Sequence, residues 1–291
     1  MDSDQSISVS VVILSMGDRP EQLNEAVNSV SQQLGCKAET ILVWNGVEAV
    51  QEVKADQHIS LKTNIGIPAG RNYGASFATS ELIMFLDDDA KIISSDLLSH
   101  AATRFRNDSS LGVVALRILD EFGATSRRHI PRLGSKSAEV SGITAGFLGG
   151  ACIVRKKAWE EVNGYSGDLF YGMEETDLSW RIIDAGWKIF YDADLKVEHP
   201  HVEPSRHSEG LRLTARNRVW IARSNLPAIL IPIYILNWLF ISILRNLQSP
   251  RSLKSILLGL YQGLGRNPLE RTAIKWKTVA TLSRIGRPPI I

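Results

Sequence analysis

Three charge-free, largely apolar runs constrain this chain more than any other feature: residues 7–14 (ISVSVVIL), 40–44 (TILVW) and 82–86 (LIMFL). A strand with one wet face alternates polar and apolar residues. A strand covered on both faces does not, and such strands belong to sheets flanked by helices on either side. Helical patterns fall between the runs. Asp18, Pro20 and Glu21 read as a helix start with Asp18 as the cap, and Leu23, Val27, Val30 and Leu34 form its apolar face. Pro68 opens a helix to about residue 78, another covers 96–105, and a strand covers 112–118. Residues 59–61 suggest a short strand and 121–141 a polar, basic flap; then follow a strand over 147–154, helices over 157–162 and 174–185, a strand over 187–191 and helix near 208–224. This rhythm predicts a mostly parallel α/β sheet, whose ligands gather at the carboxyl ends of its strands.

The 291 residues suffice for one large domain with an appendage, and 44% hydrophobic content excludes general disorder. Cys36 and Cys152 form no CxxC or disulfide framework, which fits a reducing compartment. The polar start has no basic segment followed by an apolar one, so a cytosolic catalytic part is expected. Net charge is +2, but residues 226–291 carry nine Lys or Arg against one acid, so the body is acidic and the tail basic. That asymmetry points to an anionic surface as the tail's partner, not to nucleic acid.

Asp87-Asp88-Asp89 follows LIMFL directly. Three adjacent carboxylates at a buried strand end are costly without a counter-charge. A hard divalent cation such as Mg²⁺ or Mn²⁺ removes that cost and can bridge to a diphosphate. On an extended backbone Asp87 and Asp89 point the same way, one toward the metal and the other toward a ribose. The plain alternative is a solvated acidic turn. A second cluster, Glu174, Glu175 and Asp177, opens a helix, with Arg181 one turn beyond Asp177. It suits the positive end of the helix dipole. It also offers a general base, Glu175 first and Glu174 second, with Asp177 as structural support.

These pieces occur in a specific order: SVVILSMGDRPEQLNEAVNSV, TILVWNG, NIGIPAGRNYG, LIMFLDDDA, GFLGGACIVRKKAWEEVNGYSGDLFYGMEETDLSWRI and VEHPH. Over residues 7–205 the chain resembles the inverting family 2 glycosyltransferases with a GT-A fold, in particular the bacterial rhamnosyl- or galactofuranosyl-transferase branch that builds cell-surface glycans. The resemblance implies a Rossmann-like nucleotide-sugar-binding and catalytic domain over 1–205. It implies that Ser15, Arg19, Asn45, Asn64, Gly66, Gly70, Arg71 and Asn72 line the nucleotide site. Asp87 and Asp88 would meet the nucleotide sugar. Asp87 and Asp89 match the family's DxD metal motif, and His199 a histidine that completes the metal site in some relatives, with His201 the alternative. Glu175 falls where many relatives carry Asp after Glu. Gly149, Gly150 and Trp180 would shape the sugar and acceptor pocket. The implied donor is a dTDP- or UDP-linked sugar, and the acceptor a hydroxyl of a glycan or a lipid-linked molecule.

Residues 224–244 are a charge-free stretch framed by Arg223 and Arg245, about 31 Å long as an ideal helix. Pro227 and Pro232 interrupt it, and a single crossing would put the basic tail on the wrong side. A re-entrant or in-plane segment is therefore expected in a helical, membrane-associating appendage over 206–291, at the inner face of the cell membrane. Residues 256–260 and Trp276 would lie at the interface, with Lys254, Arg266, Lys275 and Lys277 meeting anionic lipid. Two other readings compete: a sugar-nucleotide pyrophosphorylase, although LSMGDRPEQ lacks that group's Gly-rich basic signature, and a non-catalytic carbohydrate- or membrane-binding protein on the same fold.

Overall fold

The computed structural model describes residues 8–50, 52–131, 138–200 and 209–290. The apolar runs form β1 (Ser8–Ser15), β2 (Lys37–Asn45) and β4 (Leu82–Asp87), with β3 (Gln57–Leu61) at the sheet edge. The sheet continues through β5 (Lys91–Ile92), β6 (Leu111–Leu119), β7 (Gly142–Thr144), β8 (Ala151–Arg155) and β9 (Lys188–Glu198). Its order is β3-β2-β1-β4-β8-β6-β9-β5, with β7 also on β9. The first four strands are parallel. β8 is antiparallel to both β4 and β6, so β6, and β9 parallel to it, run in the direction of β4. The carboxyl ends of β1, β2, β4, β6 and β9 therefore share one edge, and β8 begins there.

Helices cover both faces. Alternate residues of the buried strands divide between two cores: Val9, Val11 and Ile13 face one way and Val12 the other. On the first face lie α1 (Pro20–Ser31), through Leu23, Val27 and Val30, and α3 (Leu97–Asn107), through Leu98, Ala101 and Phe105. On the second lie α2 (Ile67–Ala75), α4 (Lys156–Glu161) and α5 (Glu174–Asp184), through Ala75, Trp159, Leu178 and Ile182. Burial on both faces is what the charge-free, largely apolar runs require.

Several boundaries differ from the sequence reading. Arg19, not Asp18, occupies the N-cap of α1, with no side-chain cap; Pro20 sets the first turn instead. Leu34 lies past the helix end and is exposed. Residues 147–150 are not strand, and β9 runs seven residues past 191. Both cysteines are expected to be small buried apolar residues; Cys152 is buried, but Cys36 is only half-buried.

The uncharged stretch is not one helix. α6 (Gly210–Asn225) ends before Pro227, and α7 (Leu230–Asn246) starts after it, because proline cannot donate to the preceding turn. α8 (Pro250–Leu264) and α9 (Trp276–Arg284) follow. Among the described residues no helix is long and apolar enough to cross a membrane. Instead, Ile221, Leu226, Tyr234, Ile274 and Leu282 pack with Trp180 of α5 and Leu169 into a third core.

Candidate active site at the carboxyl edge of the sheet

β4 ends at Asp87 and the chain turns at once, with the Ala90 amide donating to the Asp87 carbonyl at 3.0 Å. This turn, rather than extended backbone, brings Asp87 and Asp89 to one point. β9 ends on the same edge and delivers His199, whose Nε2 lies 3.6 Å from Asp87 Oδ2 and 3.1 Å from Asp89 Oδ1. One ligand atom from each of the three falls within 4.8 Å of the others. Two carboxylates and an imidazole suit a divalent cation of the Mn²⁺ or Mg²⁺ kind. Burial works against charge on the His199 imidazole, but the two carboxylates outweigh it and push its pKa up to about 10. Burial raises the Asp87 carboxyl, yet Arg71 and His199 more than reverse this and hold it well below the usual range. The trio is thus bound together by the charges a cation would reorganise. His201 lies outside the described residues.

Asp88 points elsewhere. It is buried, accepts from Ser15 Oγ at 2.6 Å and pairs with Arg19 Nη2 at 2.7 Å. Burial first, and its acidic neighbours, push its carboxyl up to about 6 against the pull of Arg19. Arg19 also pairs with Asp89. Ser15 and Arg19, from the end of β1 and the start of α1, therefore brace the acidic turn.

Arg71 is buried in the second turn of α2, where Nη2 pairs with Asp87 Oδ1 at 2.7 Å. It holds a carboxylate instead of standing at the helix start for a phosphate. Asn45 and Asn64 are tied to each other at 3.0 Å and to the amides of Ile65 and Gly66 at 2.9 and 2.8 Å, fixing the loop between β3 and α2. Gly66 has φ +86°, and a Cβ there would meet the Phe170 backbone. Gly70 is small for a different reason: it packs against Leu14 of β1. Asn72 spends its amide on the backbone of Tyr165, at 2.7 and 2.9 Å. Gly70 thus serves packing, and Asn72 ties α2 to the backbone at Tyr165.

Gly149 and Gly150 lead into β8 at the same edge. A Cβ on Gly150 would collide with the Asp87 carboxylate, and one on Gly149 with Arg71. The Gly149 amide donates to Glu175 Oε1 at 3.2 Å. This short step links Asp87 to the second acidic cluster. Glu174 and Glu175 open α5 but face differently. Glu174 is buried, its Oε2 finds no partner among the described residues, and burial first and Glu175 second push its carboxyl up to about 8. Glu175 lines a cavity of about 270 Å³ with Trp180 of α5, Tyr234 and Trp238 of α7, and Arg128, Arg218 and Arg287. Asp177 is structural: it binds Arg181 Nη2 at 2.6 Å, Ser166 Oγ at 2.8 Å and Asn225 Nδ2 at 2.6 Å. Arg218 of α6, Tyr234 and Trp238 of α7 and Arg287 of the C-terminal turn were not singled out in the sequence, since no motif marks them.

Two carboxylates and a histidine at this edge, beside an open glutamate, are an arrangement suited to sugar transfer from a nucleotide donor. The glycosyl transferase family 2 pattern matches residues 10–163, more than half of the chain, and the chain belongs to that family. A pattern for the N-terminal domain of galactosyltransferase matches residues 132–205. An uncharacterized protein of Haemophilus influenzae is 26% identical over 166 residues, covering 52% of this chain and 88% of its own. The pre-mycofactocin glycosyltransferase of Mycobacterium tuberculosis is 29% identical over 150 residues, 47% of this chain but only 30% of the mycobacterial protein. The fold is that of GalNAc-T7 in its structure with UDP, GalNAc and Mn²⁺ (TM-score 0.65, 15% identity, 98% of this chain and 59% of that one). It is also that of S. aureus TarS residues 1–349 (TM-score 0.62, 16% identity, 89% and 81%). The central α/β sheet with flanking helices is accordingly the GT-A fold.

Proposed function

We propose that this glycosyltransferase moves a sugar from a dTDP- or UDP-linked donor, with inversion at the anomeric carbon, to a hydroxyl of a cell-surface glycan or its lipid-linked precursor. The observation that carries the reading is the Asp87–Asp89–His199 trio joined through Gly149 to Glu175, which faces a cavity. Binding of UDP-GlcNAc by TarS, and of GDP-Man with Mn²⁺ by the mannosyltransferase of Pyrobaculum calidifontis, supports a nucleotide-sugar donor.

Asp87, Asp89 and His199 would hold Mn²⁺ or Mg²⁺. The bound cation would supply positive charge against the donor diphosphate. Arg71 keeps Asp87 ionised and aimed at the trio. Ser15 and Arg19 do the same for the turn through Asp88. The Gly149 amide fixes Glu175, whose carboxylate accepts the acceptor hydroxyl proton. The acceptor oxygen bonds to the anomeric carbon as the carbon–phosphate-oxygen bond breaks, and the nucleoside diphosphate leaves with the electron pair. Attack from the face opposite the leaving group inverts the configuration. Glu174, buried and raised toward neutrality, is poorly suited to the base role.

The division into a catalytic 1–205 and a helical 206–291 suits this chemistry, the second part walling the acceptor side. We also assign the second part to the inner face of a membrane. Ile229, Ile233, Leu236, Phe240, Leu244 and Leu247 are exposed along α7, close to exposed Arg245, Arg251 and Lys254. The rhamnosyl- or galactofuranosyl-transferase branch remains our choice within the family. Thermal stabilisation by a panel of nucleoside diphosphates and nucleotide sugars, with and without Mn²⁺, tests the donor reading. A Mn²⁺-dependent shift confined to one nucleotide and lost in Asp89→Ala is expected. No shift with any of them overturns the reading.

A further inference from the structure

The cavity beside Glu175 is one-sided in its hydrogen bonding. Arg218 of α6 donates to the Tyr234 hydroxyl, and its guanidinium lies 3.6 Å from the ring centre of Trp238. Among the described residues it has no carboxylate partner. Arg287, in the turn after α9, has none either. Arg128 adds a third guanidinium to the wall. The Trp238 indole N–H is buried and finds no acceptor among the described residues. Among the described residues Glu175 is the only acid in the lining, and it already receives the Gly149 amide.

Such a chamber offers donors and positive charge and almost nothing that accepts. A neutral glycan carries donors and acceptors in similar number. It would leave the half-buried Arg218 guanidinium without a counter-charge, and uncompensated charge drawn out of water is expensive. A phosphate is nearly all acceptor, and arginine forks match it in shape and charge. The remaining wall, formed by Phe147, Met173, Trp180, Pro288 and Pro289, is apolar and suits whatever carries the anion.

We propose that the acceptor is phosphorylated, its phosphate held by Arg218, Arg287 and the Trp238 N–H while its hydroxyl is presented to Glu175. This rests on the reading of Glu175 as the acceptor-side base. It specifies an acceptor class that the donor site does not determine. The phosphate could link a prenyl lipid to a sugar that carries the hydroxyl, or belong to a soluble phosphorylated glycan, and the two sources are separable by experiment.

The test is calorimetric titration of the full chain with farnesyl phosphate, glycerol 3-phosphate and, as an uncharged control, farnesol. Both phosphates are expected to bind, farnesol at least about tenfold more weakly, and Arg287→Gln to weaken the phosphates by about tenfold or more. A strong preference for farnesyl phosphate identifies the lipid as the source; equal binding identifies the soluble one. Arg287 lies in an exposed terminal turn, so Arg287→Gln should keep the nucleotide-dependent thermal shift, which reports an intact fold. Unchanged phosphate affinity in that folded variant, or farnesol binding as tightly as the phosphates, overturns the proposal. Glu175→Gln should bind phosphate at least as tightly as the parent while losing transfer. If it transfers normally yet binds phosphate, the base reading fails and the phosphate site stands.

Discussion

Glu174 is the residue whose environment and chemistry are most opposed. It is 4% exposed, one oxygen lacks a partner among the described residues, and its neighbour Glu175 is also acidic. Folding therefore favours the protonated form, and its pKa rises from 4.5 to about 8. Between these values the folded chain holds a proton that the unfolded chain has released. The stability from this group is complete below 4.5 and is lost as pH rises through about 8. Glu174→Gln removes that slope. Denaturant midpoints of parent and variant, compared just above pH 4.5 and at about 8, should move in the variant's favour with rising pH, by up to about 1.4 kcal/mol per unit. A constant difference across that range would sink the assignment. The sequence made Glu174 and Glu175 legible as a pair at a helix start, but not which one is buried. That depends on Gly149 arriving from the β8 edge to take Glu175. Asp87 and Asp89 were legible from the strand they end. The pairing of Arg71 with Asp87 was not, because the two lie on different elements.

At the scale of elements, the approach to α5 is the costly piece of backbone. Phe170, Gly172 and Met173 all have positive φ, at 65°, 79° and 75°, and two of them are not glycine. α6 holds this turn in place. Asn217, fully buried, donates to the carbonyls of Leu169, Tyr171 and Gly172 at 2.8, 2.9 and 2.8 Å. Asn225, at the end of the same helix, reaches Asp177. Asn217→Ala removes the shared donor from three carbonyls at once. It should cost about 1–3 kcal/mol in denaturant unfolding and lower transfer at saturating donor, because Glu175 follows the turn directly. Loss of stability with the turnover number intact would separate the turn from the base. Nothing in the sequence links Asn217 to a loop more than forty residues earlier. A buried asparagine reads as a neutral helix residue until its partners are seen.

For the molecule as a whole, the parallel half of the sheet was legible because burial on both faces writes itself as charge-free, largely apolar runs. The last third was harder. Its composition signals apolar surface, but composition does not say whether that surface meets protein or lipid. α7 does both. Tyr234 and Trp238, one turn apart, face the cavity and the third core. Leu236 and Phe240, on the opposite side, are 62% and 63% exposed. A helix packed on one side and apolar on the other lacks the polar face that a water-exposed surface helix normally shows. Exposed Arg245, Arg251 and Lys254 nearby match an anionic bilayer. If that face docks on lipid, the full chain floats with vesicles containing phosphatidylglycerol and not with neutral ones, and added salt weakens binding. The double variant Leu236→Glu, Phe240→Glu should lose flotation and keep its thermal midpoint, since neither side chain is buried in the fold. Undiminished flotation of that variant would move the contact elsewhere on the protein. A collapsed midpoint would mean that the exposed face is packing surface after all, closed by protein.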